Sequence, residues 1–229
     1  QADPVETASI NVTGTVNVFE AARRALARKV VYAESSALYE GTTIFPTPED
    51  QISPESFYAI SKLSGMVFAE AYQRFHGLRM TALRYFCVYG PRQDYRRTIP
   101  PVMSAFILKL LRGEQPVIYG SGEKRRDFIH VDDVNAFHLQ CINDLRTDGR
   151  AFNLGSGMSY SVREIYEQVK AIRKTDILPL HQPDLPGEAR ETLADISAAK
   201  ALGWGPQVSL EQGLRTFVEY YREKGLTCR

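Results

Sequence analysis

Tyr58-Ala-Ile-Ser-Lys62 sets a phenol and an ammonium four residues apart, a spacing that brings both side chains to one face of a helix. Such a pair can move protons. A free phenol, with a pKa near 10, is too weakly ionised to act as a base near pH 7, and a neighbouring cation favours the phenolate. The spacing alone is unspecific: Tyr166/Lys170 and Tyr220/Lys224 share it, and both read as solvated faces of amphipathic helices. Surroundings separate the first pair. It lies one helix after Glu34-Ser35-Ser36-Ala37-Leu38-Tyr39, a strand end rich in hydroxyls, and a serine at a strand's carboxyl end faces the crevice where open α/β sheets bind ligands. Ser35 can donate and accept within one relay; the plain alternative is a strand-end serine that satisfies backbone. Arg126, in Lys124-Arg-Arg-Asp127, offers a permanent charge and a fork matched to phosphate oxygens, against the reading of a solvated charge run.

The elements that must position these groups follow from periodicity. Ile10 to Leu26 has Val12, Val16, Phe19, Ala22 and Leu26 at helical spacing, and Lys29 to Ser35 is a short β-branched apolar run, so a helix leads into a buried strand. Ser53-Pro54-Glu55-Ser56 predicts a helix with its cap at Ser53 and proline in the first turn. That helix carries Tyr58, Ile60, Leu63, Val67, Phe68 and Tyr72, ends at Gly77, and gives way to a strand over Leu78 to Tyr85. Helix and strand alternating twice is the pattern of a parallel sheet with covering helices. Beyond Gly90 the alternation loosens: helices over 98–112, 131–145 and 161–173, strands over 116–119 and 127–130. Asp132 and Asp133, immediately before an apolar helix, predict its N-terminal cap. Trp204 predicts core packing.

Composition narrows the classes. In 229 residues, 44% hydrophobic and 24% charged are the proportions of a globular chain with a sizeable core. A formal net charge of +1 gives no global attraction to nucleic acid or to an anionic membrane. No apolar run approaches the ~18 residues of a membrane span. Cys87, Cys141 and Cys228 are odd in number and far apart, with no CxxC or His/Cys cluster to hold a metal, and His130 stands alone; a reducing, cytoplasmic setting is expected.

Seven blocks in order carry a resemblance: Asn11-Val-Thr-Gly14-Thr, Ser35-Ser-Ala-Leu-Tyr39 followed by Tyr58-x-x-x-Lys62, Arg84-Tyr-Phe-Cys-Val-Tyr-Gly-Pro-Arg92, Tyr119-Gly-Ser-Gly122, Arg126-Asp-Phe-Ile-His-Val-Asp-Asp133, Phe152-Asn-Leu-Gly155, and Ala194-Asp-Ile-Ser-x-Ala-Lys200 with Leu202-Gly-Trp204. Over nearly its whole length the chain resembles the extended short-chain dehydrogenase/reductases, specifically the NAD-dependent sugar-nucleotide epimerases of the UDP-galactose 4-epimerase type. The resemblance implies NAD as cofactor and a UDP-sugar as substrate. It places Ser35 at the catalytic hydroxyl position, Tyr58 at the acid/base position and Lys62 where the nicotinamide ribose is held. Asn11 and Tyr85 would line the cofactor cleft. Cys87, Val117, Tyr119, Arg126, Glu188 and Thr192 would face the sugar nucleotide, with Thr192 beside the hexose.

The chain also departs from the family pattern. No glycine-rich turn joins a strand to a helix: Gly120-Ser-Gly122 opens no helix, so it fails the context of a dinucleotide fingerprint. Roughly 75 to 80 residues that precede the matching region in the family, with half the cofactor site, have no counterpart here. Cys87 stands where the family has an amide, Leu185 where it has Arg, Glu188 where it has Asp, and Glu40 where it has glycine.

The expected fold is therefore α/β, a truncated Rossmann-type doubly wound parallel sheet (residues 1–90 and 131–154) with a smaller α+β substrate-binding lobe (91–130 and 155–229). Such a sheet would bind NAD weakly, and it would either pair with another chain to cover its exposed apolar surface, as in a homodimer, or have lost its N-terminal third after folding. The expected activity is epimerisation of a UDP-hexose at C4. The alternatives are a related reductase or dehydratase, and an inactive remnant that binds sugar nucleotides. Dehydratases and decarboxylases of the family place an acid directly after the catalytic hydroxyl residue, whereas here Ser36-Ala37-Leu38 follows.

Overall fold

The computed structural model describes residues 3–97, 100–184 and 189–226. Its helices are α1 (Pro4–Ala8), α2 (Gly14–Arg24), α3 (Phe57–His76), α4 (Val102–Leu111), α5 (Val131–Asn143), α6 (Val162–Arg173), α7 (Ser197–Lys200) and α8 (Leu210–Glu223). Its strands are β1 (Val30–Ser35), β2 (Met80–Tyr85), β3 (Cys87–Tyr89), β4 (Val117–Tyr119), β5 (Arg125–His130), β6 (Arg150–Leu154), β7 (Ser159–Ser161) and β8 (Leu180–Gln182).

The main sheet has the order β1-β2-β6 and is parallel throughout, with Val30 beside Met80, Ser35 beside Tyr85, and Tyr85 beside Leu154. Because side chains alternate along a strand, β1 and β2 each feed two cores. Val30, Tyr32 and Met80 pack with Phe19 of α2 and with Ala69 and Tyr72 of α3. Val31, Leu83 and Tyr85 face the other way, with Phe152, Leu154 and, from α5, Val134, Phe137 and Cys141. Helices therefore cover both faces, the doubly wound arrangement. Ala194, Ile196, Ala199 and Trp204 join this second core, and Trp204 is 6% exposed.

A third core holds α4, α6 and α8 together through Phe106, Ile107, Tyr166, Val169, Phe217 and Tyr221. Beside it lie the sheet β3-β5-β7 and the pair β4-β8. Continuity comes from one stretch of chain: β2 runs through Phe86 into β3, which leaves the first sheet and pairs with β5, Cys87 beside Phe128. The carboxyl end of the main sheet thus opens onto the second group of strands.

Two expectations about helix starts are corrected. Helix α3 begins at Phe57, with Ser56 as its cap and the Ser56 hydroxyl accepting from Ala59 N. Ser53 is drawn away, its N–H donating to Leu38 O (2.7 Å) and its carbonyl accepting from Gly41 N (2.9 Å). At α5 the cap is His130, whose side chain accepts from Asp132 N, while Asp133 sits buried in the first turn and accepts from Gln207 N and Val208 N at 2.8 and 3.2 Å. Gly77 ends α3 in the left-handed region, φ 65°, a conformation that glycine adopts without strain.

Candidate active site

Ser35 is the last residue of β1 and caps the 3-10 turn Ser36–Tyr39, its Oγ accepting from Ala37 N at 3.2 Å. Besides satisfying backbone, Ser35 lines a cavity of about 170 Å³ with Glu40, Phe86, Cys87, Arg126 and Thr192. Four residues singled out in the sequence, Ser35, Cys87, Arg126 and Thr192, thus meet from four separate segments. Thr192 is tied to β5 by its N–H to Arg125 O (3.1 Å) and by accepting from Asp127 N (3.2 Å) at its hydroxyl. Arg126 donates through NH1 to Arg125 O at 2.8 Å. Its lining sets one guanidinium, two carboxylates (Glu40 and Glu191) and several hydroxyls beside the apolar Phe45 and Phe86, the make-up of a small-molecule subsite that places polar groups around a bound molecule.

Tyr58 and Lys62 are not among the residues lining that cavity. Tyr58 is the second residue of α3 and is 44% exposed, and Lys62 Nζ lies 5.9 Å from its ring centroid. The same 5.9 Å separates Lys170 from Tyr166 and Lys224 from Tyr220, so this distance is a property of helical spacing and singles out nothing. What distinguishes Lys62 is its reach across to the sheet, where Nζ donates to Ala33 O at 3.4 Å. That contact uses one of three donors, and it anchors the ammonium beside the end of β1.

Asn11 occupies a π-helical turn, Ser9–Thr13, between α1 and α2; such turns displace a side chain from the regular helical register. Its amide donates to Ser61 Oγ at 3.0 Å, and Ser61 Oγ donates to Tyr58 O at 2.7 Å. The residue is thereby fastened to the first turn of α3. Tyr85, expected with the cofactor group, bonds through its hydroxyl to His138 Nε2 of α5 (2.7 Å), and burial pushes its phenol up to about 12. Val117 and Tyr119 lie on β4, away from the cavity lining. Glu188 and Leu185 fall outside the described residues.

Tyr166 corrects another expectation. Rather than facing solvent, it is 1% exposed and its hydroxyl donates to Ile177 O. Lys170 therefore covers a buried ring.

Two constellations escaped the sequence reading. Behind Ser35, Glu34 and Arg84 form a 2.5 Å ion pair; Arg84 NH1 also donates to Tyr39 OH (2.8 Å) and Tyr39 OH to Asn153 Oδ1 (2.7 Å). Asn153 in turn holds Thr47 O and Asp195 O through its amide. The 3-10 turn after Ser35 is thus pinned to β2 and β6. The second is Asp127, fully buried, which accepts from Ser156 N, Ser156 Oγ, Gly157 N and Ala194 N. Burial still holds its carboxyl above the usual range. This knot fixes the loop beside Arg126 and Thr192.

Comparison with known proteins agrees in family. The sequence profile described as "NAD dependent epimerase/dehydratase family" matches residues 1–155. The chain is 36% identical over 225 residues to a UDP-glucose 4-epimerase of Mycolicibacterium smegmatis, covering 97% of this chain and 71% of that protein. It is 33% identical to a UDP-glucuronate 4-epimerase of Thermodesulfobacterium geofontis, covering 93% of this chain and 65% of the other. In three dimensions it matches the crystal structure of UDP-glucose 4-epimerase with UDP-glucose from Thermotoga maritima with a TM-score of 0.93 and 36% identity, over 97% of this chain and 72% of that one. A doubly wound sheet, a strand-end serine opening on a polar cavity, and a profile match over well more than half the length together place this chain in the NAD dependent epimerase/dehydratase family.

Proposed function

We propose that this protein epimerises a UDP-hexose at C4, with Tyr58 as proton acceptor and donor, Ser35 as the relay hydroxyl and Lys62 as the fixed charge beside them. The observation that carries the reading is the convergence at the end of β1. Ser35 opens into the cavity, Lys62 is anchored to the carbonyl two residues earlier, and the half-exposed Tyr58 stands one helical turn before Lys62. NAD, when bound, supplies the acceptor and donor of hydride for the sugar carbon. The residues present fit its nicotinamide end, since Lys62 keeps two donors beyond its bond to Ala33 O and Tyr58 is open to a ligand.

The protein's own groups then divide the work. Tyr58 takes the C4 hydroxyl proton and returns it. Ser35 lowers the cost of that transfer by donating to the same oxygen, and Lys62 keeps a positive charge next to the phenolate that accepts the proton. Arg126 meets the diphosphate, for which a guanidinium fork is the best-matched side chain. Thr192 and Cys87 bound the space left for the hexose. Ser36, Ala37 and Leu38 offer no acid beside Ser35, and both cavity carboxylates are engaged, Glu40 by Glu55 and Ser56 and Glu191 by the Ser159 hydroxyl; both points favour epimerisation over elimination or decarboxylation.

The test is product analysis. Supplied with UDP-glucose, the enzyme should yield UDP-galactose up to equilibrium, with no net change in NADH absorbance. Accumulating NADH, a 4-keto-6-deoxy sugar, or carbon dioxide released from UDP-glucuronate would move the protein to a neighbouring activity.

A further inference from the structure

Glu40 ends the 3-10 turn that Ser35 begins, and it lies eighteen residues before Tyr58 in the chain. In space its carboxylate grips the start of α3. Oε2 accepts from Ser56 N at 2.7 Å and from Glu55 N at 3.2 Å, while Oε1 accepts from the Ser56 hydroxyl at 2.9 Å. Ser56 is the cap of α3, and the same hydroxyl accepts from Ala59 N at 3.1 Å. One side chain therefore takes up two of the N–H groups at this helix end and, through Ser56, orients a third. Tyr58 lies in the chain between Ser56 and Ala59, the two residues that the cap hydrogen bond joins. A carboxylate here is also favoured by the twenty-residue helix whose N-terminus it meets.

We propose that Glu40 is a positioning residue for the reaction: it clamps the turn that carries Ser35 to the helical turn that carries Tyr58, and so fixes the distance between the two hydroxyls. The inference rests on the roles given to Ser35 and Tyr58 above. The physical need is plain. The covalent route between the two groups runs through the loop 41–55, which backbone bonds from Ser53 to Leu38 and Gly41 tie back to the turn only as far as Ser53, three residues short of the helix cap. The clamp bypasses that loop. Glycine at 41 leaves room for this approach, since a Cβ there would stand 2.4 Å from Ser53 Oγ and 2.7 Å from Glu55 Oε1, so the Ser53 and Glu55 side chains would have to turn away. Arg84 pins the same turn from behind, through Tyr39 OH, so the turn is rigid and the helix end takes its position from it.

A misplacement of about 1 Å costs up to roughly 100-fold in rate with little effect on ground-state binding. Glu40→Ala should therefore lower kcat roughly 10- to 100-fold while KM for the UDP-sugar stays within about two-fold. Glu40→Gln, which keeps the side-chain length, carries the same comparison if the alanine variant fails to fold. Two further readouts separate positioning from mere stability and from substrate contact. In a Tyr58→Phe background, Glu40→Ala should cost less than about two-fold more, because the group it positions is already gone. Hydrogen exchange should show faster exchange confined to residues 55–60 in Glu40→Ala, with the core strands unchanged. Wild-type kcat in both Glu40 variants, an undiminished further loss in the Tyr58→Phe background, a loss expressed in KM, or unchanged exchange over 55–60 would each overturn the proposal. Tyr58→Phe with full turnover would instead overturn the catalytic reading, leaving the exchange result to judge the clamp alone.

Discussion

Glu34 and Arg84 are register partners across the parallel pair β1-β2, and their side chains meet at 2.5 Å with only 2% and 3% exposure. An ion pair so deeply buried contributes little net stability over a well-packed apolar pair, yet losing one partner leaves a charge without compensation. Arg84→Met should cost about 3–5 kcal/mol, a fall in Tm of roughly 10 °C for a chain of this size. The double variant Glu34→Leu/Arg84→Met should recover much of it. Calorimetry on the three proteins checks this; a single variant melting within about 2 °C of wild type would show that water or another group rescues Glu34.

The legibility of the site follows from the same pair. Glu34 stands in an otherwise apolar strand, and a charge in a buried strand demands a counter-charge. Arg84, inside a strand of its own, was the signal in the sequence, but register is needed to join them. The parallel sheet, its helices and the end of α3 at Gly77 were readable because period and glycine act locally. Ser35, Cys87, Arg126 and Thr192 were singled out by motif, and the structure gathers them in one cavity. The start of α3 was misread because Ser53 and Ser56 are equally good caps locally, and bonds from Leu38, Gly41 and Glu40 decide between them. Tyr166 was misread because an amphipathic pattern shows which face is apolar but not that a tyrosine within it is covered.

Arg126→Ala should raise KM for the UDP-sugar about 30-fold, or ~2 kcal/mol for a partly buried charge-assisted bond, with kcat changed much less. Titration calorimetry with UDP gives the direct measure. Unchanged affinity would return Arg126 to the solvated charge run of its neighbours.

Thr192→Tyr would fill much of the 170 Å³ cavity that Thr192 helps line. N-acetylated hexoses should then be excluded while simple hexoses still turn over. Losing the Thr192 hydroxyl, which accepts from Asp127 N, should also cost about 1 kcal/mol of stability. Relative rates on UDP-glucose and UDP-N-acetylglucosamine report the outcome, and an unchanged ratio would place the sugar elsewhere.

Burial pushes the phenols of both Tyr85 and Tyr39 up to about 12, with the Arg84 guanidinium partly offsetting the effect at Tyr39. The folded protein thus favours the protonated phenol. The stability this represents is fully present below the unfolded value near 10 and is lost as pH rises through about 12, about 3 kcal/mol for each group. Urea midpoints should fall steeply across that window, and Tyr85→Phe should fall less steeply. Identical slopes would mean that Tyr85 ionises as it would in water.

The central claim is that Tyr58 moves the proton, and conversion of UDP-glucose to UDP-galactose by Tyr58→Phe measures it most directly. Turnover should drop by several orders of magnitude while UDP-sugar affinity stays within a few-fold, because the change removes one proton-transfer group and little contact area. Tyr166→Phe and Tyr220→Phe, which share the spacing to lysine, should turn over normally, the former melting lower because its buried hydroxyl donates to Ile177 O. Wild-type turnover by Tyr58→Phe, in protein whose folding matches the parent, would contradict the account.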